Sequence, residues 1–183
     1  DELKGVVGKD SIQVEGYMGG RFSKENHFLP SMIADLWTAR DEAKKQKDQA
    51  LSQAIKIIMN SFYGVLGSNG CRFFDTRLAG SITLRGHEII QTTSDLIEQQ
   101  GYKVIYGDTD SVFVWIDQEV TPPEADEIGQ ELIQSLNLWW ESYCREKYGI
   151  DCYLELEYET HYHQFVMPTI RGSEQGSKKR YAG

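Results

Sequence analysis

The chain has 183 residues, a length that suits one domain or a domain with a protruding subdomain. A hydrophobic share of 40% with 11% aromatics is enough to build a core, so the composition is not that of a disordered chain. The net charge of −9 argues against indiscriminate nucleic-acid binding and leaves only local basic surfaces. Two stretches qualify: Arg171, Lys178, Lys179 and Arg180 near the end, and Lys44, Lys45 and Lys47, diluted by Asp41, Glu42 and Asp48.

Cys71, Cys144 and Cys152 are odd in number and lack metal-ligand spacing, which predicts reduced thiols in a cytosolic protein rather than a disulfide framework. No apolar run approaches a membrane span, and the start has no signal-peptide pattern. Asp1 at the start and the stop at Tyr181-Ala182-Gly183 predict a piece of a longer protein.

Residues 1–25 are Gly-rich with scattered Val, Ile and Tyr and predict a loop or a short strand pair. From Leu29-Pro30 the pattern turns helical, with Ser31 as N-cap and Ile33, Leu36, Trp37 and Arg40 at helical spacing, to about Gln49. A second helix begins near Leu51-Ser52, carries Ala54, Ile55, Ile58, Met59 and Phe62, and stops at Gly64–Gly67. So short a joint predicts an antiparallel helical hairpin. A third helix is expected from about Arg77 to Gln100, with Ile82, Ile89, Ile90, Leu96 and Ile97 as its stripe.

Lys103-Val104-Ile105 and Val112-Phe113-Val114-Trp115-Ile116 flank Tyr106-Gly107-Asp108-Thr109-Asp110-Ser111 and predict a β-hairpin. Pro122-Pro123 then opens a fourth helix with Ile128, Leu132, Ile133, Leu136, Trp139, Trp140 and Tyr143 on one side. Its tryptophans are expected in the core. Tyr153 to Glu159 alternates with period two and reads as a strand, with His163 to Pro168 as its hairpin partner. The pattern predicts an α+β fold: an antiparallel sheet with two long helices on one face and a protruding antiparallel helical hairpin.

The hairpin at 106–111 places Asp108 and Asp110 at or beside its tip. If both lie in extended backbone they point to one side. Two hard oxygen ligands so held suit Mg²⁺, completed by water and substrate phosphates. An acidic turn simply facing water explains the same residues, since Asp and Gly are common in turns. On the second helix Lys56, Asn60 and Tyr63 are spaced four and three apart and share a face, away from Ile55, Ile58 and Phe62. Arg40 and Lys44 on the first helix are also four apart. Converging strips would attract a polyphosphate, Arg through bidentate hydrogen bonds and Lys as a point charge. Ordinary solvated faces, with Asp41 and Lys45 as an i,i+4 pair, are the competing explanation. His161 and His163 alternate and could meet Glu157 at a zinc ion, but strand histidines without further ligands are more often plain polar positions.

The ordered set Lys56-Ile57-Ile58-Met59-Asn60-Ser61-Phe62-Tyr63-Gly64, Tyr106-Gly107-Asp108-Thr109-Asp110-Ser111 and Lys178-Lys179-Arg180-Tyr181 resembles the family B DNA polymerases. The three blocks are similar to that family's fingers motif Lys-x-x-x-Asn-Ser-x-Tyr-Gly, palm motif Tyr-Gly-Asp-Thr-Asp-Ser and Lys-Lys-x-Tyr motif at the thumb border. Tyr63 to Gly67, Arg72-Phe73-Phe74-Asp75 and Met167 to Gly172 look closest to bacterial members. The resemblance covers nearly the whole chain from about residue 15. It implies residues 1–28 as an N-terminal palm segment, 29–67 as the fingers hairpin and 68–183 as palm, ending where the thumb begins.

The same resemblance implies Asp108 and Asp110 in a two-Mg²⁺ site for nucleotidyl transfer, with Asp110 the stronger direct ligand. It implies Arg40, Lys44 and Lys56 on the incoming triphosphate, Asn60 near it, and Tyr63 against the nascent base pair. Lys178, Lys179, Arg180 and Tyr181 would contact primer-template backbone and minor groove, which positions a duplex without reading its sequence. Glu155 or Glu157 could lend a further carboxylate, or simply face outward. The implied partners are primer-template DNA and a deoxynucleoside triphosphate, with a sliding clamp engaged through regions outside this chain. The implied location is the cytoplasm, at the nucleoid. For all this to hold, the tip acids and the arm's cations must look into a common cleft.

One departure matters. The family's Asp-x-x-Ser-Leu-Tyr-Pro-Ser palm motif, whose Asp bridges both metals, is not found; Asp1 and Asp10 lack that context. The exonuclease domain and nearly all of the thumb are also missing. The expectation is a polymerase as parent and an isolated chain that is inactive or nearly so. A nucleotidyl cyclase would not need Lys56, Asn60 and Tyr63 on a helical hairpin, nor the basic tail. A non-catalytic nucleotide- or nucleic-acid-binding module remains the alternative for the isolated chain. A purely structural interaction domain leaves the three-motif coincidence unexplained.

Overall fold

The computed structural model describes residues 13–24, 28–108, 110–169 and 180–183. Lys178, Lys179, Arg171, Asp1, Asp10 and Thr109 lie outside the described residues. The fold is α+β, with four long helices and two two-stranded antiparallel sheets among the described residues. The chain divides into two compact units, Asp1–Arg85 and Gly86–Gly183.

In the first unit β1 (Gln13–Glu15) and β2 (Arg21–Ser23) form a short hairpin. Its turn places Met18 and Gly19 in the left-handed region in succession, at φ 55° and 74°. The Gly16 N–H closes it on the Gly20 carbonyl at 2.9 Å. The turn docks on the start of α3 (Thr76–Gln99). There the buried Ser81 hydroxyl accepts from the Tyr17 N–H at 2.9 Å and donates to the Tyr17 carbonyl at 3.1 Å. A Cβ on Gly80 would meet the flexible Met18 side chain, which would have to swing aside. At the head of α3, Asp75 is buried and holds Arg77 by a two-pronged pair of 3.0 and 2.7 Å, which raises the guanidinium's pKa.

Helix α1 (Leu29–Lys45) has its N-cap at Phe28, three residues before the expected cap Ser31 and without a capping side-chain hydrogen bond, and carries Pro30 in the first turn. A proline there loses no helical hydrogen bond, so it need not stand outside the helix. The helix stops earlier than the expected Gln49, because Lys47 turns left-handed at φ 59°. The Asp48 N–H then reaches back to the Ala43 carbonyl and the Lys47 N–H to that of Lys44, at 2.9 and 3.0 Å. This six-to-one, five-to-two pattern is a Schellman closure built without glycine. Asp48 also caps α2 (Gln49–Leu66), its carboxylate accepting from the Leu51 N–H at 2.9 Å. One residue ends one helix and starts the next.

The inward stripe of α2 is Ile55, Met59, Phe62 and Leu66, at i, i+4, i+7 and i+11. Ile58 was expected beside Ile55 and Phe62 but is exposed, as is Ile57, because both lie off that stripe. Ile82 of α3 is exposed too, since Leu78 and Ser81 take the inward positions of that stretch.

The second unit is built on the rest of α3, the hairpin β3 (Lys103–Asp108) and β4 (Ser111–Trp115), and α4 (Pro122–Tyr143). Thr121 and Glu124 form a capping box at the start of α4. The Thr121 N–H, and then its hydroxyl, hold the Glu124 carboxyl below its ordinary pKa. Leu132, Leu136 and Trp140 bury their side chains. Trp140 is core, as expected, and its indole N–H donates to the buried Thr93 of α3 at 3.1 Å. Beyond α4, Cys144–Tyr148 winds as a π-helical turn that stops at left-handed Gly149. There Lys147 sits over the Tyr143 and Tyr148 rings at 4.6 and 5.2 Å, and the Tyr143 hydroxyl, then Tyr148, raise its pKa.

The expected strand over 153–159 does not form a ladder; residues 151–160 are not assigned to any strand. The period-two alternation is nevertheless real. Leu154, Leu156 and Tyr158 are half-buried while Tyr153, Glu155, Glu157 and Glu159 are exposed. Side chains of α4 replace a strand partner: Asn137 brackets Leu156, and Asp126 accepts from the Tyr158 hydroxyl at 2.7 Å. Its expected hairpin partner pairs elsewhere, Val166 bridging Ala182 at 2.8 and 2.9 Å.

Candidate active site

At the tip of the second unit's hairpin, Asp108 is the last residue of β3 and pairs across with Ser111. Asp110 lies in the connecting turn, not in the ladder, so strand alternation does not set its direction. Its N–H turns back to the Asp108 carbonyl, and its carboxylate accepts from the Ser111 hydroxyl at 3.4 Å. Asp110 is exposed and Asp108 half-buried. Ile105 interrupts the register between Val104 and Tyr106 as a bulge, a device that bends and twists a ribbon near functional sites. Among the described residues a Cβ on Gly107 would meet only ordinary contacts, the nearest Ser111 O at 3.6 Å. A strand glycine goes with a bulge, such as the one at Ile105, or with the close approach of another backbone or ligand.

The tip can hold a hard cation. The exposed Asp110 carboxylate, with half-buried Asp108 beside it, could supply part of an oxygen shell, and water and phosphate oxygens commonly supply the rest for Mg²⁺. Among the described residues no cluster of three or more His, Cys, Asp and Glu assembles. Glu155 and Glu157 are exposed on the alternating segment. His161 and His163 lie edge to face at 6.4 Å, with no third ligand among the described residues.

The first unit carries the cationic strip. Lys56, Asn60 and Tyr63 are all exposed on one side of α2. Tyr63 is tethered by its hydroxyl, 2.6 Å from Thr83 Oγ1 of α3. No local pattern links Tyr63 to Thr83, twenty positions away. On α1 Lys44 pairs with Asp41 at 3.8 Å rather than Asp41 with Lys45, a half-exposed i,i+3 contact worth little. Arg40 is half-buried, and its Nε is screened from solvent without a partner among the described residues. An orphaned guanidinium nitrogen is costly unless an anion is met.

At the chain's end Arg180 is exposed, and Tyr181 lies against the rings of Phe113, Phe165 and Tyr106. No local pattern links the rings of this cluster, because its members come from segments about fifty and seventy residues apart.

The family description DNA polymerase family B matches residues 11–183. DNA polymerase II of Escherichia coli (strain K12) is 57% identical over 169 residues, which is 92% of this chain and 22% of that protein. The DNA polymerase of Thermococcus gorgonarius is 32% identical over 188 residues, 96% of this chain and 22% of that one. The DNA polymerase alpha catalytic subunit of Dictyostelium discoideum is 34% identical over 142 residues, 72% of this chain and 9% of its own. The chain belongs to DNA polymerase family B. Its similarity is greater to the bacterial DNA polymerase II than to the archaeal and eukaryotic relatives, and it spans about a fifth of that protein's length.

Proposed function

We propose that this chain is the fingers and palm portion of a DNA-directed DNA polymerase, joining a deoxynucleotide to a primer 3′-hydroxyl under template direction. Residues 29–67 are the fingers hairpin, residues 1–28 and 68–183 belong to the palm, and the thumb begins near the end. The observation that carries this is the Asp108–Ser111 tip, where exposed Asp110 and half-buried Asp108 end a bulged ribbon beside Gly107.

Asp108 and Asp110 would hold Mg²⁺, with Asp110, the more exposed, in direct coordination. When bound, two such ions supply activation of the attacking hydroxyl and charge neutralisation on the leaving pyrophosphate. Arg40, Lys44 and Lys56 bind and neutralise the triphosphate, Arg40 in forked geometry and the lysines as point charges. Asn60 orients it by amide hydrogen bonds. Tyr63, held by Thr83, presents a half-exposed ring to the new base pair. Arg180 and Tyr181, with Lys178 and Lys179, position the duplex through its backbone and minor groove. The protein works in the cytoplasm at the nucleoid, with a sliding clamp reached through other regions.

The 183-residue chain alone contains no Asp-x-x-Ser-Leu-Tyr-Pro-Ser motif and so lacks the bridging carboxylate. It should therefore not extend primers. The test compares the intact polymerase with Asp108→Asn and Asp110→Asn. Each should lower incorporation about a hundredfold or more while primer-template still binds. Wild-type incorporation by either variant, or template-directed extension by the 183-residue chain, sinks the corresponding claim.

A further inference from the structure

Below the tip acids lies a cluster of five rings: Tyr106, Phe113, Tyr162, Phe165 and Tyr181. Phe113 is its hub, with centroids 5.5 Å from Tyr106, 5.0 Å from Phe165, 5.0 Å from Tyr181 and 6.3 Å from Tyr162. Tyr106 and Phe113 stand opposite one another in the β3–β4 register. Tyr106 precedes Asp108 by two residues in the same strand, so both side chains leave one face of the ribbon. Both are half-buried, whereas Gly107 between them is exposed. The rings therefore fill the face that Asp108 shares, one step from it.

The other half of the cluster belongs to the end of the chain. Phe165 adjoins Val166, and Tyr181 adjoins Ala182, and these two neighbours exchange backbone hydrogen bonds at 2.8 and 2.9 Å. A Cβ on Gly183 would run into the Tyr162 ring, so the last residue also lies flat on this pad. Tyr181 meets Phe113 and Tyr106 edge-on, at interplanar angles of 66° and 61°, and is 43% exposed, which leaves the rest of the ring open to solvent. Edge-to-face contacts fix relative angles where aliphatic packing would allow sliding.

We propose that Phe113 is a positioning residue for nucleotidyl transfer. It locks the ribbon that carries Asp108 to the Arg180–Tyr181 segment, so the acids and the duplex-contacting residues keep one spacing. The claim rests on the polymerase assignment above. In this role Phe113 acts through the Tyr106 and Tyr181 rings it packs against.

The experiment uses the intact polymerase with Phe113→Leu, Phe113→Tyr and, from the other side of the cluster, Phe165→Leu. Single-turnover incorporation, dNTP KM, primer-template affinity and thermal midpoint are measured on each. Phe113→Leu should lower the rate at saturating dNTP about tenfold or more and weaken primer-template binding, with dNTP KM within about twofold of wild type. Phe165→Leu should repeat the pattern, and Phe113→Tyr, which keeps the ring, should restore the rate. A wild-type rate in both leucine variants, or a rate loss fully matched by loss of folded protein in both, overturns the proposal. Asp110→Asn separates the two levels. If it abolishes incorporation while both leucine variants remain fully active, only the positioning role falls; if the unaltered intact protein shows no template-directed incorporation, the polymerase assignment falls and takes the role with it.

Discussion

Asn137 holds Leu156 by both of its backbone groups. Its side-chain amide donates to the Leu156 carbonyl at 3.0 Å, and its amide oxygen accepts from the Leu156 N–H at 2.9 Å. One side chain on α4 thus does for one residue what a neighbouring strand would do. Asn137→Ala strands both groups in a half-buried setting, which should cost about 1–3 kcal/mol in denaturant unfolding. Asn137→Asp keeps the acceptor and loses the donor, and should fall between alanine and wild type at neutral pH. A neutral Asn137→Ala would show that the segment over 153–159 is held by its apolar side chains alone.

Gly129 lies in the middle of α4, where helix propensity favours alanine by about 1 kcal/mol. A Cβ there would sit 2.5 Å from two carbons of the Tyr158 ring. Gly129→Ala should therefore destabilise, by about 1–3 kcal/mol as overpacking does. In a Tyr158→Ala background the same change should stabilise, and a double-mutant cycle of thermal midpoints would expose the reversal. The same sign in both backgrounds would refute the contact.

Burial first, and the Asp126 acceptor second, push the Tyr158 phenol up to about 12 from 10.0. The folded chain therefore keeps this proton to higher pH than the unfolded chain. The associated stability is whole below about pH 10, declines as pH rises through the interval and is gone above about 12. Stability against pH should fall less steeply there for Tyr158→Phe than for wild type. Asp126→Asn should bring the phenol's titration down, and an unchanged titration would remove Asp126 as a cause.

Lys47 occupies the left-handed corner between α1 and α2 at φ 59°. A side chain there costs roughly 1–2 kcal/mol, while glycine gives back about 0.4–1 kcal/mol through a freer unfolded chain. Lys47→Gly should raise stability by about 0.5 kcal/mol. A fall in thermal midpoint would mean that the Lys47 side chain makes a contact that outweighs its strain.

In the intact polymerase, Lys178→Ala with Lys179→Ala should weaken primer-template binding about equally across sequences. The slope of log affinity against log salt should shrink by about two. A loss confined to particular sequences would reassign these residues to base reading.

Short-range chemistry was legible. The Lys56–Asn60–Tyr63 strip and the helical hairpin are written within a few residues, where the 3.6-residue period decides the geometry, whereas Asp110 left the ladder and its direction was set by the turn. Element ends were less so. Phe28 starts α1 without a capping side chain, and left-handed Lys47 ends it without glycine, because local backbone hydrogen bonds close the corner whatever the residue type.

The amino-acid order alone determined which groups are present, which of them share a helix face or a hairpin tip, and to which polymerase family they belong. Folding in three dimensions decided what each segment rests on: that residues 153–159 lie against α4 instead of joining a sheet, that Tyr63 is tied to Thr83, and that Phe113 gathers rings from the hairpin and the chain's end. The reason is the range of the forces. Periodicity acts between near neighbours, whereas the partner that finally satisfies a backbone amide or an aromatic edge is whichever one the whole chain brings within reach, and no local pattern names it.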